Sequence, residues 1–121
     1  GDVAYHTIAE AMLGALAIGD LGTHFPDSDN QYKDIDSSIL VSKVVDMIND
    51  KGYKVHNVDV FISLEKPKLK DYISTMRNNV ANLLKVELDA VSIKAGTNES
   101  MDSVGNNKAI EAYSVVLLEK K

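Results

Sequence analysis

DSSILVSKVVDMINDKGYKVHNVDVFISLE, residues 36–65, holds two different repeats of apolar side chains, and the switch between them decides the class of fold. In its first half Leu40, Val41, Val44, Met47 and Ile48 recur at helical spacing, which puts them on one stripe of a helix. Asp36, Ser37 and Ser38 are residue types that accept hydrogen bonds from the unpaired amides of a helix start, and Gly52 is placed to close the helix. From Asn57 to Glu65 the period becomes two: Val58, Val60, Ile62 and Leu64 share one face, and Asn57, Asp59, Phe61, Ser63 and Glu65 the other. An amphipathic helix followed by a half-buried strand predicts a domain that mixes the two.

Downstream, Pro67 stops the ladder, and Lys66, Lys68 and Lys70 crowd the turn before a helix in which Ile73, Met76, Val80, Leu83 and Leu84 recur. Residues 91–95 alternate as a short strand. A polar stretch, 96–107, leads to a last strand over about 109–118, where both faces carry apolar residues. A strand wet on one side needs only one apolar face, so Tyr113, Val115 and Leu117 are expected to lie under another subunit. Upstream, residues 2–18 are predicted helical, with Ile8, Met12, Ala15 and Leu16 toward the core and a stop at Gly19-Asp20-Leu21-Gly22. The order helix, helix, strand, helix, strand, strand predicts an α+β fold, a small mixed or antiparallel sheet with helices layered on one face.

The 121 residues suffice for one domain, expected to span 1–121, and 45% apolar with 26% charged content is ordinary for a globular protein. Net charge is −5 and the lysines are scattered, which argues against nucleic acid as a partner. The absence of cysteine removes disulfides, thiolate nucleophiles and Cys-type zinc sites, so any metal must use His and carboxylates. No apolar run approaches the ~20 residues that cross a bilayer. The chain begins Gly1-Asp2, without an initiator methionine, a signal or a transit segment, and reads as a piece of a longer polypeptide.

Four-residue spacing on the first helix places His6 between Asp2 and Glu10, where a carboxylate can fix the tautomer of a metal-ligating ring. An exposed histidine in a surface ion-pair row is the ordinary alternative. His24 and His56 read as surface residues. Asp27-Ser28-Asp29-Asn30-Gln31 starts like a calcium loop but lacks the central glycine and terminal glutamate of an EF-hand. It is either a solvated acidic loop or a lid whose carboxylates bind a polyol. Lys66-Pro67-Lys68 is either a phosphate clamp or a soluble sheet edge. In Ala95-Gly96-Thr97-Asn98-Glu99, the glycine permits close backbone approach, Thr97 offers a hydroxyl to a phosphate oxygen and Glu99 suits a hard cation.

Several blocks together, Asp-Val-Ala-Tyr-His (2–6), Leu-Gly-Ala-Leu-Ala-Ile-Gly-Asp-Leu-Gly (13–22), Phe-Pro-Asp-Ser-Asp (25–29), Asn-Val-Asp-Val (57–60), Lys-Pro-Lys (66–68) and Lys-Ala-Gly-Thr-Asn-Glu (94–99), closely resemble the 2-C-methyl-D-erythritol 2,4-cyclodiphosphate synthase family. The match runs through the chain in order. The resemblance implies an enzyme of non-mevalonate isoprenoid synthesis, a phosphorus-oxygen lyase that forms a homotrimer with active sites between adjacent subunits. It implies that 4-diphosphocytidyl-2-C-methyl-D-erythritol 2-phosphate is cyclised with release of CMP, by intramolecular attack of the 2-phosphate on the β-phosphate.

By the same resemblance, His6 is a ligand of a divalent metal, Zn2+ being expected, and Glu99 binds Mg2+ or Mn2+ at the diphosphate. Thr97 aligns the phosphates in the transition state. Sugar-side contacts map onto Asp20, Leu21, Gly22, Phe25, Pro26, Asp27, Ser28 and Asp29. Cytidine diphosphate contacts map onto Leu64, Glu65, Lys66, Pro67, Lys68, Leu69 and Lys70, and onto Ala95, Gly96 and Thr97. The family's Asp-x-His pair, which completes the metal site, is expected upstream of Gly1. Asn106-Asn107-Lys108 and Tyr113 depart from the bacterial pattern at the trimer axis, where isoprenoid phosphates would bind. Residues 102–106, with the composition, resemble plant and plastid versions, so a plastid or apicoplast is expected, with a bacterial cytoplasm as the alternative. A catalytically silent oligomeric domain that binds a metal-nucleotide complex is the alternative function.

Overall fold

The computed structural model describes residues 2–64, 70–96 and 110–121, the side chain of Asp2 excepted. Helix α1 (Asp2–Ala15) is followed by a single turn, α2 (Leu21–His24), and by α3 (Ser37–Asp50). Strand β1 (Tyr53–Ser63), α4 (Ile73–Leu84), β2 (Val91–Gly96) and β3 (Glu111–Lys120) complete the described elements, with short 3-10 turns leading into α4 and β2. The sheet has the order β2-β1-β3, with β1 parallel to β2 and antiparallel to β3. The fold is thus α+β with a mixed sheet, as the alternating periods require.

The helices form one layer: α1 lies over β3, α4 over β2, and α3 between them against β1. Val55, Val58, Val60 and Ile62 of β1 and Val91 and Ile93 of β2 are buried beneath Ile8, Met12 and Leu13 of α1, Val41, Val44 and Ile48 of α3, and Val80 and Leu84 of α4. Burying a side chain of this size contributes about 1.5–3 kcal/mol. The helix α3 starts where its sequence indicates, with Asp36 Oδ1 accepting from the Ser38 amide at 2.9 Å. It ends into Gly52, whose φ of 88° is open to glycine without steric penalty.

Three boundaries differ from expectation. First, α1 stops at Ala15 rather than Ile18, because Ala17 turns left-handed (φ 55°) and the chain closes on itself, Ala17 N to Gly14 O at 3.0 Å and Ile18 N to Leu13 O at 3.1 Å. Ala15 is consequently exposed, not in the core. Second, β1 begins at Tyr53, not Asn57. Pairing skips from Val55↔Leu118 to Asn57↔Leu117, so His56 is a bulge that sends Val55 inward and Asn57 outward despite their equal parity. Period-two reading cannot cross such a point. Ser63, expected on the open face, is buried, flanked in register by Gly96 and Glu111 of the two neighbouring strands. Third, β3 runs Glu111–Lys120, displaced from the expected 109–118; residue 109 lies outside the described residues.

The face of the sheet away from the helices is apolar along β3: Tyr113, Val115 and Leu117 are 63%, 73% and 55% exposed, and Phe61 beside Tyr113 is 41% exposed. Toward β2 the same face turns polar, with Lys94 Nζ donating to Asp59 Oδ2 at 3.0 Å. That contact is the main reason the Asp59 carboxyl is held below its usual range.

Candidate active site

His6 lies on the exposed side of α1, in an open groove with Val3, Thr7, Glu10 and Ala112 of β3. The helix is fixed to the strand beside it by Ser114 Oγ, which donates to the Thr7 carbonyl at 2.9 Å. Glu10, expected to orient the His6 ring, is committed elsewhere: its Oε1 accepts from the backbone amide of Leu21 at 2.6 Å. Among the described residues no hydrogen bond or ion pair to His6 is formed, which leaves its ring nitrogens accessible.

Glu10 therefore ties α1 to the start of the 20–29 segment. Asp20 caps α2, its Oδ1 accepting from the Thr23 amide at 2.9 Å and from the Thr23 hydroxyl at 2.7 Å. Those Thr23 hydrogen bonds hold the Asp20 carboxyl below the usual carboxylate range. Leu21 is buried in the core, while Gly22 is exposed. His24, expected at the surface, is half-buried and its Nε2 lies 2.6 Å from the Ile18 carbonyl. The Phe25 ring meets Tyr32 edge-on at 5.2 Å, and Pro26 is half-buried. Asp27, Ser28 and Asp29 are exposed, and Asp29 Oδ1 accepts from the Gln31 amide at 3.1 Å. The acidic segment is thus a compact series of capped turns seated on the end of α1.

Of the second group of candidate residues, the described Leu64, Ala95 and Gly96 meet at the opposite margin of the sheet. Because β1 and β2 are parallel, their carboxyl ends lie side by side, with Ser63 paired to Gly96 and the Leu64 amide donating to the Gly96 carbonyl at 3.0 Å. Ligands of open α/β sheets bind outside such strand ends. Leu64 and Ala95-Gly96 are brought together there, and exposed Lys70 begins the turn into α4. Glu65, Lys66, Pro67, Lys68, Leu69, Thr97 and Glu99 lie outside the described residues, as do 102–106 and 106–108. Ala112, Ile62 and Ala95 form one row across the three strands. Ala112, which lines the His6 groove, and Ala95 are therefore about 10 Å apart across the sheet, two strand spacings.

A structural zinc site needs four ligands and a catalytic one three from protein. Among the described residues no group of three or more His, Cys, Asp or Glu side chains is placed to hold a metal ion. His6 is one accessible donor, and these residues do not by themselves make a complete site. No described helix is long and apolar enough to cross a membrane.

Sequence reasoning missed the Glu10–Leu21 link and the His24–Ile18 contact, since both depend on how the chain turns after Ala17. It also missed Phe61, whose ring lies against Gly96; nothing in a strand separated by thirty residues announces its register.

A sequence model of the YgbB family matches residues 1–119. The chain is 49% identical to the 2-C-methyl-D-erythritol 2,4-cyclodiphosphate synthase of Brachyspira hyodysenteriae over 98% of its length and 75% of that protein. It is 45% identical to the protein of the same name from Fusobacterium nucleatum, over 100% of this chain and 76% of that one. Among solved structures, the bifunctional IspDF of Campylobacter jejuni superposes with a TM-score of 0.94 at 31% identity, over 100% of this chain and 33% of that one. IspF of Plasmodium falciparum, solved as a CDP complex, superposes with a TM-score of 0.88 at 31% identity, over 100% of this chain and 72% of that one. With sequence and fold in agreement, the chain belongs to the YgbB family.

Proposed function

We propose that this chain catalyses the reaction for which its relatives are named, conversion of 4-diphosphocytidyl-2-C-methyl-D-erythritol 2-phosphate into 2-C-methyl-D-erythritol 2,4-cyclodiphosphate and CMP. The observation that carries it is the juxtaposition of Leu64 and Gly96 at the carboxyl ends of parallel strands, in a chain 49% identical to a protein of that name. The segments that follow those two residues, 64–70 and 95–97, hold the cytidine diphosphate, and the capped segment 20–29 holds the methylerythritol. An oxygen of the 2-phosphate attacks the β-phosphorus; the bond from that phosphorus to the bridging oxygen breaks, and CMP leaves with the oxygen. The protein needs no nucleophile of its own, since folding the substrate back on itself supplies most of the acceleration. On this reading it is a phosphorus-oxygen lyase, and Thr97 aligns the phosphates.

Divalent ions belong to the same proposal, Zn2+ with His6 as one of its ligands and Mg2+ or Mn2+ with Glu99 at the diphosphate. Such ions would neutralise oxygen charge. Of the residues proposed to hold these ions, the described part of one chain supplies His6. The exposed Tyr113, Val115 and Leu117 face supports a homotrimer in which neighbouring chains complete each site. The relatives 49% and 45% identical are bacterial proteins, which favours a bacterial cytoplasm over a plastid or apicoplast.

CMP release from the cytidylyl substrate, followed by chromatography, tests the proposal. Turnover is expected in the intact protein and lost in His6→Ala and Glu99→Ala. Unchanged turnover in both variants would remove the site assignment. Binding of a cytidine nucleotide without turnover would favour a silent metal-nucleotide-binding domain instead.

A further inference from the structure

Gly96 is the last residue of β2 and contributes both the closing rung of the β1–β2 ladder and the lead into Thr97. A Cβ placed on Gly96 would lie 2.9 Å from Phe61 Cζ, too close unless the ring shifts, and 3.4 Å from Phe61 Cε2. The Phe61 ring thus occupies the space a side chain at 96 would need. In register Phe61 pairs with Lys94, so its ring reaches diagonally along β2 to the second residue beyond, on the face away from the helices. A glycine at a strand end is the residue with most backbone freedom to lose. An aromatic ring laid across it from the next strand shields its peptide groups and restricts that freedom.

We infer that Phe61 is a positioning residue of the nucleotide corner: its ring, packed into the empty Cβ position of Gly96, holds the Ala95-Gly96 end of β2 in place beside Leu64. The inference rests on the cytidine diphosphate reading of that corner. Phe61 touches no substrate in this account and acts through Gly96. The size match is mutual, a large residue on β1 and none on β2, so the pair behaves as one unit.

The test is a mutant cycle read by calorimetric binding of cytidine 5′-diphosphate and by hydrogen exchange of the Leu64 amide, whose acceptor is the Gly96 carbonyl. Phe61→Leu keeps apolar area on the open face but lacks a flat ring, and is expected to weaken nucleotide binding about tenfold with the mass of the assembly unchanged by light scattering. Phe61→Ala and Gly96→Ala are each expected to weaken it as well, and the two combined to bind more tightly than Gly96→Ala alone. In Phe61→Leu the Leu64 amide exchanges faster. Wild-type affinity in Phe61→Leu, or strictly additive losses in the double variant, would overturn the inference. If the wild-type protein binds no cytidine nucleotide, the functional reading fails separately, and unchanged Leu64 exchange in Phe61→Leu still overturns the positioning role.

Discussion

Replacing Glu10 should loosen the acidic segment at its junction with α1. Its Oε1 accepts from the Leu21 amide at 2.6 Å, a short contact to a charged acceptor at the start of the single turn α2. Hydrogen bonds to charged groups contribute about 1.5–3 kcal/mol, and exposure of this carboxylate argues for the lower end. Glu10→Ala is therefore expected to cost about 1.5 kcal/mol, and Glu10→Gln, which keeps an acceptor without its charge, about half of that. For a domain of this size the alanine variant should lower the melting midpoint by about 4–8 °C, compared at one protein concentration because any association would contribute to the midpoint. The decisive assay is residue-resolved hydrogen exchange. The Leu21 amide should lose protection in Glu10→Ala and keep part of it in Glu10→Gln, while the amides of β1 change only with global stability. In turnover, KM should rise severalfold with a smaller change in kcat. A Glu10→Ala protein with an unchanged midpoint and an unchanged Leu21 exchange rate would refute the assignment of Glu10 as the tether between α1 and the 20–29 segment.

Three other outcomes follow from contacts already described. Asp36 caps α3 by accepting from the Ser38 amide and hydroxyl, which holds its carboxyl below the usual range. A lowered folded-state pKa adds stability above the unfolded value, near 3.9, and that addition is lost as pH falls through the folded value. Asp36→Ala should thus be less stable than wild type in urea at pH 6, with the gap shrinking toward pH 3; a gap independent of pH refutes the charged cap. Val115, 73% exposed on the open face of β3, should bear the trimer contact, so Val115→Asp is expected to shift the mass in light scattering from trimer to monomer while circular dichroism is retained. A wild-type protein that is monomeric at working concentration would refute that use of the face. Met12 is fully buried between helix and sheet, and Met12→Ala should cost about 2–5 kcal/mol in chemical denaturation.

The α+β class, the helices α3 and α4 and the inward face of β1 were legible in the sequence because each rests on a repeat along the chain. Leu40, Val44 and Ile48 must share a stripe of any helix that contains them, and Val58, Val60 and Ile62 one face of any strand. The family was legible for a similar reason: blocks such as Phe25-Pro26-Asp27-Ser28-Asp29 keep their identity whatever surrounds them. Contacts between distant segments carry no such trace. The carboxylate of Glu10 is free, by spacing alone, to meet His6; only the left-handed turn at Ala17 brings the Leu21 amide back within its reach. The bulge at His56 inverts the faces upstream of Asn57 because β3 pairs there out of step, a matter of strand register. Likewise the vacancy at Gly96 is filled by Phe61 only because β1 and β2 run parallel with Phe61 opposite Lys94. Periodicity constrains what lies on one element, whereas the choice of partner depends on the packed whole, where loop closure and register are set by the core and not by neighbouring residues.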